Sequence, residues 1–144
     1  IPLIAIPTLK LLCVRPLLSD EVEHEDALLC PMIDARRMEA YTAIYDRALK
    51  EIRKVQADII DDATYVEWLE KEPVYFFGNG AEKCKEIIKH PNAHFIGNVI
   101  PTAKSMLPLA ELAIAKRDFV DVAYFEPFYL KDFVAIKSKS LLEK

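Results

Sequence analysis

Three acidic residues could form a metal-dependent hydrolytic site if the fold brought them together. They are Asp34, Glu39 and Asp58, and nucleases that use two metal ions need several carboxylates that converge on those ions. Asp34 ends one predicted strand, whereas Asp58 lies on the outward side of another, so we expect the carboxylates to stay apart. The pattern favours acids at a solvated sheet edge, with no catalytic residue and no catalytic metal.

The segment FFGNGAEK, residues 76–83, could bind a phosphate. A buried strand, a Gly-Asn-Gly turn and a helix start can surround an anion with backbone N–H groups. Gly78 and Gly80 allow close backbone approach, and Asn79 can adopt a left-handed conformation. No Ser or Thr follows to hold Mg²⁺, and such turns also occur for steric reasons alone. We interpret the three residues as a structural turn, with a vestigial phosphate-binding turn as the alternative.

Two further segments contain residue types that bind ligands in other proteins. HPNAH, residues 90–94, spaces two histidines like metal ligands on a helix. Pro91 and Asn92 break such a helix and the usual Glu is missing, so we predict no zinc site. YFEPFYL, residues 124–130, could stack nucleic-acid bases. Pro127 and the neighbouring acids favour instead an extended segment that packs on the domain or on a partner.

The composition is that of an ordinary globular domain. The 144 residues are 52% apolar and 29% charged, with a formal net charge of −4. A negative chain argues against a nucleic-acid groove, which normally has a basic excess. The three cysteines are far apart and form no Cys-x-x-Cys motif, so we expect reduced thiols in a cytoplasmic protein. No apolar run approaches the length of a membrane helix, so we expect no direct membrane contact.

The hydrophobic periodicity predicts the elements of the first half of the chain. Residues 3–6 read as a short buried strand, and the next helix ends or bends at Pro16. Strands are predicted at residues 27–34, 38–47 and 53–60, and their short links indicate an antiparallel meander. In the third strand, alternation predicts the following inward residues: Val55, Ala57 and Ile59.

The second half alternates helices with short strands. Residues 73–77 form a continuous apolar run, which is typical of a central parallel strand. Helices are predicted after residues 61–62, over 80–89 and over 102–117, with a strand over 94–96 between the last two. The last helix should bury an apolar stripe, which consists of Met106, Leu107, Ala110, Ala113 and Ile114. Because parallel strands need crossover helices, this order indicates a ribonuclease-H-like α/β domain.

Several segments resemble, in the same order, those of the bacterial TsaB (also called YeaZ) family, in the glycoprotease-like branch of the actin-like ATPase superfamily. They are IPLIAIPTLKLL, PMIDARRMEAYTAIYD, YFFGNGAEK, PTAKSMLPLAELA and FEPFYLKDFV, and they run from residue 1 to about residue 137. The most specific parts are the DAR-x-x-E-x-Y and E-P-x-Y-L patterns. Their residues here are Asp34, Arg36, Glu39, Tyr41, Glu126, Pro127 and Tyr129.

The resemblance begins partway through the family's pattern. The family's amino-terminal lobe carries a DTS signature and a GPGSFTG stretch, and neither has a counterpart here. The chain also opens on IPLIAIPTL without a methionine or a polar lead-in. The resemblance therefore implies that residues 1–144 are a single domain, the carboxy-terminal lobe of a two-lobed protein.

The resemblance also implies a function. TsaB-like proteins are non-catalytic scaffold or dimerization subunits of the complex that installs threonylcarbamoyl on an adenosine beside the tRNA anticodon. Their partners are the TsaD transferase and the TsaE ATPase, contacted mainly through the other lobe, and tRNA is contacted only through the complex. The resemblance implies no cofactor and no peptidase activity despite the family's label, and we expect the isolated lobe to pair with itself.

The same resemblance gives a structural role to the hairpin corner between the strands predicted at residues 27–34 and 38–47. Asp34 and Glu39 are expected to bind backbone amides or the side chains of Arg36 and Arg37, and so to hold the sheet edge. Lys131 stands where the family more often has Arg. A lysine keeps the positive charge but cannot bind a carboxylate with the two-pronged guanidinium group of an arginine. An alternative remains, a vestigial nucleotide-binding or hydrolysing lobe that uses the Gly-Asn-Gly turn. A metallopeptidase would need ligands that the sequence does not offer.

Overall fold

The computed structural model describes residues 1–131, and within that range five strands form one sheet. The strands are β1 (Leu28–Asp34), β2 (Glu39–Tyr45), β3 (Glu51–Ile59), β4 (Val74–Phe77) and β5 (Ala93–Ile96). The helices are α1 (Thr8–Leu18), α2 (Val66–Leu69) and α3 (Ala103–Lys116), and a 3₁₀ turn covers Glu82–Cys84.

The sheet is mixed, with the strand order β3-β2-β1-β4-β5. β2 pairs antiparallel with both β1 and β3, which confirms the predicted meander. β4 pairs parallel with β1, and β5 pairs parallel with β4. All four residues of β4 are buried, so the predicted central parallel strand is also confirmed. The chain is therefore an α/β domain whose antiparallel half precedes its parallel half.

Hydrophobic clusters cover both faces of the sheet. On one face, Leu69 of α2 packs with Met32 and Phe76. On the other, Leu12 of α1 packs with Phe77. Alternate strand residues point to opposite faces, so each central strand contributes to both clusters. Burying one such side chain contributes about 1.5–3 kcal/mol, and the sheet is therefore the main source of stability.

α1 runs through Pro16 and ends two residues later, at Leu18. Proline cannot donate to the carbonyl of the preceding turn, and its ring disfavours a helix interior. Here it falls in the last turn, where little helix remains to be disrupted. The face of α1 that covers the sheet is buried and includes Leu9, Leu12 and Cys13.

Residues 3–6 do not form the predicted buried strand. Leu3 makes a single antiparallel bridge with Val120, and it is 41% exposed. Pro2 and Pro7 flank this short stretch and cannot donate ladder hydrogen bonds, which leaves too few residues for a strand.

Two predicted helices are much shorter than the sequence suggested. Only the 3₁₀ turn and a few single turns occupy residues 80–89. The Gly80 amide donates to the Met32 carbonyl at 3.1 Å, which ties the chain to β1 before a helix can begin. Asp61 does not cap α2 but closes the turn before it, where its carboxylate accepts from Ala63 N at 3.0 Å.

α3 is confirmed within one residue at each end, but its predicted apolar stripe is not buried. Thr102 caps the helix by accepting from Ser105 N at 3.3 Å. Its one fully buried residue is Leu109, which packs on α1. Because the helix contacts the described part of the chain along one narrow edge, most of its apolar side chains stay exposed. These are Met106, Leu107, Leu112 and Ile114.

Candidate functional site at the β1–β2 corner

β1 and β2 are joined by a tight corner whose central residues are Arg36 and Arg37. Both have positive φ, 77° and 48°, and Arg36 O accepts from Glu39 N at 3.0 Å. Ala35 N donates back to Glu39 O at 3.1 Å. A left-handed conformation costs a residue with a Cβ about 1–2 kcal/mol, and hairpin corners of this kind normally contain Asn or Gly. The corner therefore contains two arginines at a cost in backbone energy.

Asp34 is fixed at the end of β1 by partners on two segments. Its carboxylate accepts from Arg36 N at 3.2 Å and forms an ion pair with the Lys83 ammonium. Lys83 also donates to Glu39 O at 2.6 Å, so one lysine joins the 3₁₀ turn to both strands. The Lys83 hydrogen bond, with help from the Arg36 amide, lowers the pKa of Asp34. A backbone-amide partner was expected for Asp34, but its charged partner is Lys83 rather than an arginine.

Glu39 pairs with a residue far along the chain. Its Oε1 accepts from Lys131 Nζ at 2.5 Å, and this hydrogen bond raises the pKa of Lys131. The expected partners of Glu39 were backbone amides, Arg36 or Arg37. The contact connects the two signature patterns, because Lys131 directly follows the E-P-x-Y-L segment. The lysine therefore forms a carboxylate pair even without the fork of an arginine.

The aromatic segment before Lys131 lies on the surface. Tyr124, Phe128 and Tyr129 are 84%, 74% and 76% exposed, so most of its aromatic area is not covered by the described residues. Glu126 and Pro127 are exposed as well. Residues 132–137, where the sequence resemblance ends, lie outside the described residues.

An open groove of about 1330 Å³ lies between the corner, the end of β3 and residues 129–131. It is lined by Asp34, Ala35, Arg36, Arg37, Met38, Glu39, Tyr41, Ile59, Tyr129 and Lys131. Half of these residues are signature positions of the sequence, but the sequence did not indicate that they surround one groove. The contact between Glu39 and Lys131, which no local pattern encodes, joins the two segments.

The Gly-Asn-Gly turn supports the end of β1. Gly78 has φ 100°, and a Cβ there would collide with the Met32 carbonyl oxygen. A Cβ on Gly80 would lie 3.0 Å from Asp34 N. Asn79 is not among the residues with positive φ, contrary to expectation, and its Oδ1 accepts from Asp34 N at 3.0 Å.

The amides of this turn are already engaged. Gly80 N donates to Met32 O, and Ala81 N donates to Gly78 O, each at 3.1 Å. The following 3₁₀ turn spans only Glu82–Cys84, so a phosphate would find neither free amides at these positions nor a long helix behind them. Phosphate binding by Gly78, Asn79 and Gly80 stays a prediction.

Asp58 does not point outward as predicted. Its carboxylate accepts from Arg53 at 2.6 Å, from Thr42 Oγ1 at 2.5 Å and from Tyr65 OH at 2.8 Å. The Arg53 and Asp58 side chains are only 17% and 10% exposed. Burial alone would raise the pKa of Asp58, but the hydrogen bonds from Arg53, Thr42 and Tyr65 keep it below its ordinary value. The predicted inward position of Ile59 is also wrong, since it is 74% exposed.

The strand register relates the three candidate acids. Ala40 pairs with Asp34 on one side and with Asp58 on the other, which places both carboxylates on the same face of the sheet. They are two strands apart, about 10 Å between backbones. Each is bound by its own cation, and Glu39 lies on the opposite face. The three acids do not converge on one point.

The histidines of HPNAH have structural partners. His90 Nδ1 accepts from Asn92 N at 3.1 Å, and the His94 ring stacks on Tyr75 at 4.7 Å between centroids. His24, which lies between α1 and β1, has its Nδ1 2.7 Å from Tyr75 OH. Within residues 1–131 no group of three or more His, Cys, Asp or Glu side chains is placed to hold a metal ion.

The cysteines are buried and unpaired with one another. Burial raises the pKa of Cys30 to about 12, although Arg53 nearby acts in the opposite direction. Such thiols stay protonated at neutral pH and are poor nucleophiles. In the part of the chain that the structure describes, no helix is both long and apolar enough to cross a bilayer.

Together, the sheet topology and the closed corner define an α/β domain with a mixed five-stranded sheet. Two solved structures share this architecture: YeaZ from Pseudomonas aeruginosa, and an uncharacterized protein with similarity to peptidase YeaZ from Pseudomonas aeruginosa. Their TM-scores are 0.69 and 0.71, each at 23% sequence identity over 90% of this chain. The chain therefore has a YeaZ-like fold.

The likeness covers 59% of the length of each of those two proteins, so this chain spans little more than half of them. No family model matches the sequence, and no curated protein matches it.

Proposed function

We propose that this chain is one domain of a TsaB-like scaffold subunit, without chemistry of its own, in the modification of tRNA to threonylcarbamoyladenosine. The observation that carries the proposal is the YeaZ-like fold over 90% of the chain, since YeaZ and TsaB are two names for one bacterial protein. The strand order, an antiparallel meander joined to two parallel strands, supports a ribonuclease-H-like lobe of the actin-like type.

The arrangement of charges supports a structural role for the signature residues. Asp34 is neutralised by Lys83 and Glu39 by Lys131, and both pairs join segments that are distant in sequence. Asp58 is paired with Arg53 inside the sheet. A carboxylate that already balances a lysine or an arginine is a poor candidate for general base or metal ligand, because its charge is committed.

In this proposal, the partner proteins bind mainly outside this domain. Because the chain spans 59% of its structural neighbours, its contacts with a TsaD-like transferase and a TsaE-like ATPase would be made mainly by the remaining part. This chain would form the carboxy-terminal lobe and work in the cytoplasm, and it would meet tRNA only through the complex. The exposed apolar face of α3 supports a further contact surface, including self-pairing of the isolated lobe.

Deletion of the gene in its source organism tests the proposal. We expect threonylcarbamoyladenosine, measured by mass spectrometry of digested tRNA, to fall strongly and to return when the unaltered gene is restored. Another modified nucleoside in the same digest serves as the internal control. An unchanged threonylcarbamoyladenosine level in the deletion strain would contradict the proposal.

A further inference from the structure

The groove beside the β1–β2 corner combines an apolar lining with a basic rim. Ile59 and Tyr129 both line it and are 74% and 76% exposed, and Met38 and Tyr41, which line it too, are half-buried. Exposed isoleucine and tyrosine side chains are suited to covering an apolar side chain. The groove is open, and its volume of about 1330 Å³ exceeds that of a typical small-molecule pocket, which suits a chain segment better than a compact small molecule.

The charges around the groove leave a local excess of two arginines. Asp34 and Glu39 are each neutralised by a lysine, Lys83 and Lys131. Arg36 and Arg37 are exposed, and neither forms an ion pair with residues 1–131. The whole chain has a net charge of −4, so this positive rim runs against the overall balance. A partner with carboxylates would complement it.

The backbone conformation of the corner suggests that the two arginine side chains have a function. Both lie in the left-handed region, which Asn and Gly adopt with less strain than arginine. Strain of this kind persists where the side chains are needed at that position. The guanidinium groups take no part in the ion pairs that close the corner. A structural role therefore does not explain why arginines occupy these two positions.

We propose that this groove binds an extended acidic peptide segment of a partner protein, with an apolar side chain between Ile59 and Tyr129 and flanking carboxylates on Arg36 and Arg37. A nucleic acid fits less well, because a protein that binds the backbone tightly makes about six to ten phosphate contacts, whereas only Arg36 and Arg37 on this rim have no ion pair within residues 1–131. The proposal does not depend on a role in tRNA modification.

Fluorescence anisotropy with labelled peptides tests this assignment on the full chain. The probe is a short synthetic peptide with a phenylalanine flanked by glutamates, and the matched peptide has glutamines instead. The decisive variant is Arg36→Asn with Arg37→Gly, because it removes both charges while relieving the strained corner. Lys54→Glu is the control, since Lys54 lies on β3 about 16 Å from Ile59 along the strand.

We expect the glutamate peptide to bind, and the double variant to weaken its binding about tenfold while the Lys54 variant changes it little. The glutamine peptide should bind more weakly than the glutamate peptide to the unaltered chain. Binding that is the same for the double variant, or absent up to about 1 mM peptide, would overturn the proposal. Tighter binding of a single-stranded RNA of similar length, with the same dependence on the arginines, would overturn it in favour of a nucleic-acid site.

Discussion

Lys131 Nζ lies 2.5 Å from Glu39 Oε1, although 92 positions separate the two residues. This contact joins the aromatic segment near residue 130 to the start of β2. Lys83 makes the equivalent contact with Asp34 at the end of β1. Two lysines from distant parts of the chain therefore pair with the two acids of the corner, and Lys131 is also part of the groove wall.

Replacing Lys131 with methionine should release the aromatic segment without unfolding the domain. The pair is partly exposed, with side-chain exposures of 50% and 23%, and such pairs contribute about 0–1 kcal/mol. We expect little change in global stability but faster cleavage by chymotrypsin after Phe128 and Tyr129, because the segment is no longer tied to β2. Lys131→Arg is the matched control and should cleave at the original rate. Equal cleavage rates in the methionine variant and the original chain would show that the contact does not order the segment.

Replacing Arg36 with asparagine and Arg37 with glycine should stabilise the domain. Both positions have positive φ, and the new residues adopt that conformation at lower cost. We expect a rise of about 1 kcal/mol or more in the free energy of unfolding, measured by urea denaturation. Arg37→Val, which adds a β-branched side chain at the same strained position, should destabilise. A fall in stability of the Asn-Gly variant would mean that the guanidiniums stabilise the corner.

Removing the buried carboxylate of Asp58 should strongly destabilise the sheet. Asp58→Ala leaves Arg53 with no charged partner in a site where it is only 17% exposed, and breaking such a pair costs about 3–5 kcal/mol. The double variant Arg53→Met with Asp58→Leu should recover much of the loss, because it removes both charges. Chemical denaturation of the three proteins gives the comparison. A loss below about 1 kcal/mol in the single variant would contradict a committed ion pair.

The same residue predicts how stability depends on pH. Hydrogen bonds keep the pKa of Asp58 below its ordinary value of 3.8, so the unfolded chain takes up a proton at a higher pH than the folded chain does. The stabilisation is complete above the ordinary pKa and is lost as the pH falls through the lower, folded value. Denaturation at a series of pH values should show this decline, and Asp58→Asn should flatten it. An equally steep decline in Asp58→Asn would assign it to other carboxylates.

The sequence predicted the sheet well because burial sets its pattern. The apolar run of β4 depends only on which side chains face a covered surface, and it is visible locally. The helix predicted over residues 80–89 does not form because Gly80 approaches β1, which prevents the helix that the local pattern favoured. Tertiary contacts, and not the local pattern, determine the structure of that segment.

The site was predicted in its residues but not in its contacts. Asp34 and Glu39 were identified, yet their lysine partners are 49 and 92 positions away, where no spacing rule reaches. Asp58 was assigned to solvent because it is charged and alternates with Val55 and Ala57. Because both faces of the sheet carry a hydrophobic cluster, alternation could not show which side of β3 is exposed to solvent. The carboxylate of Asp58 can be buried because it is paired with Arg53.

The last prediction concerns partnership. Because this chain spans 59% of its structural neighbours, we expect it to lack the main surface for a TsaD-like transferase. Its exposed apolar side chains on α3, such as Leu107 at 61% exposure, should favour self-association instead. In a pull-down with purified transferase, the 144-residue chain should be retained poorly, while a two-lobed TsaB-like protein should be retained well. Sedimentation of the chain alone gives its oligomeric state, and Leu107→Glu should shift it toward monomer. Retention as strong as that of the two-lobed protein would place the binding surface within this domain.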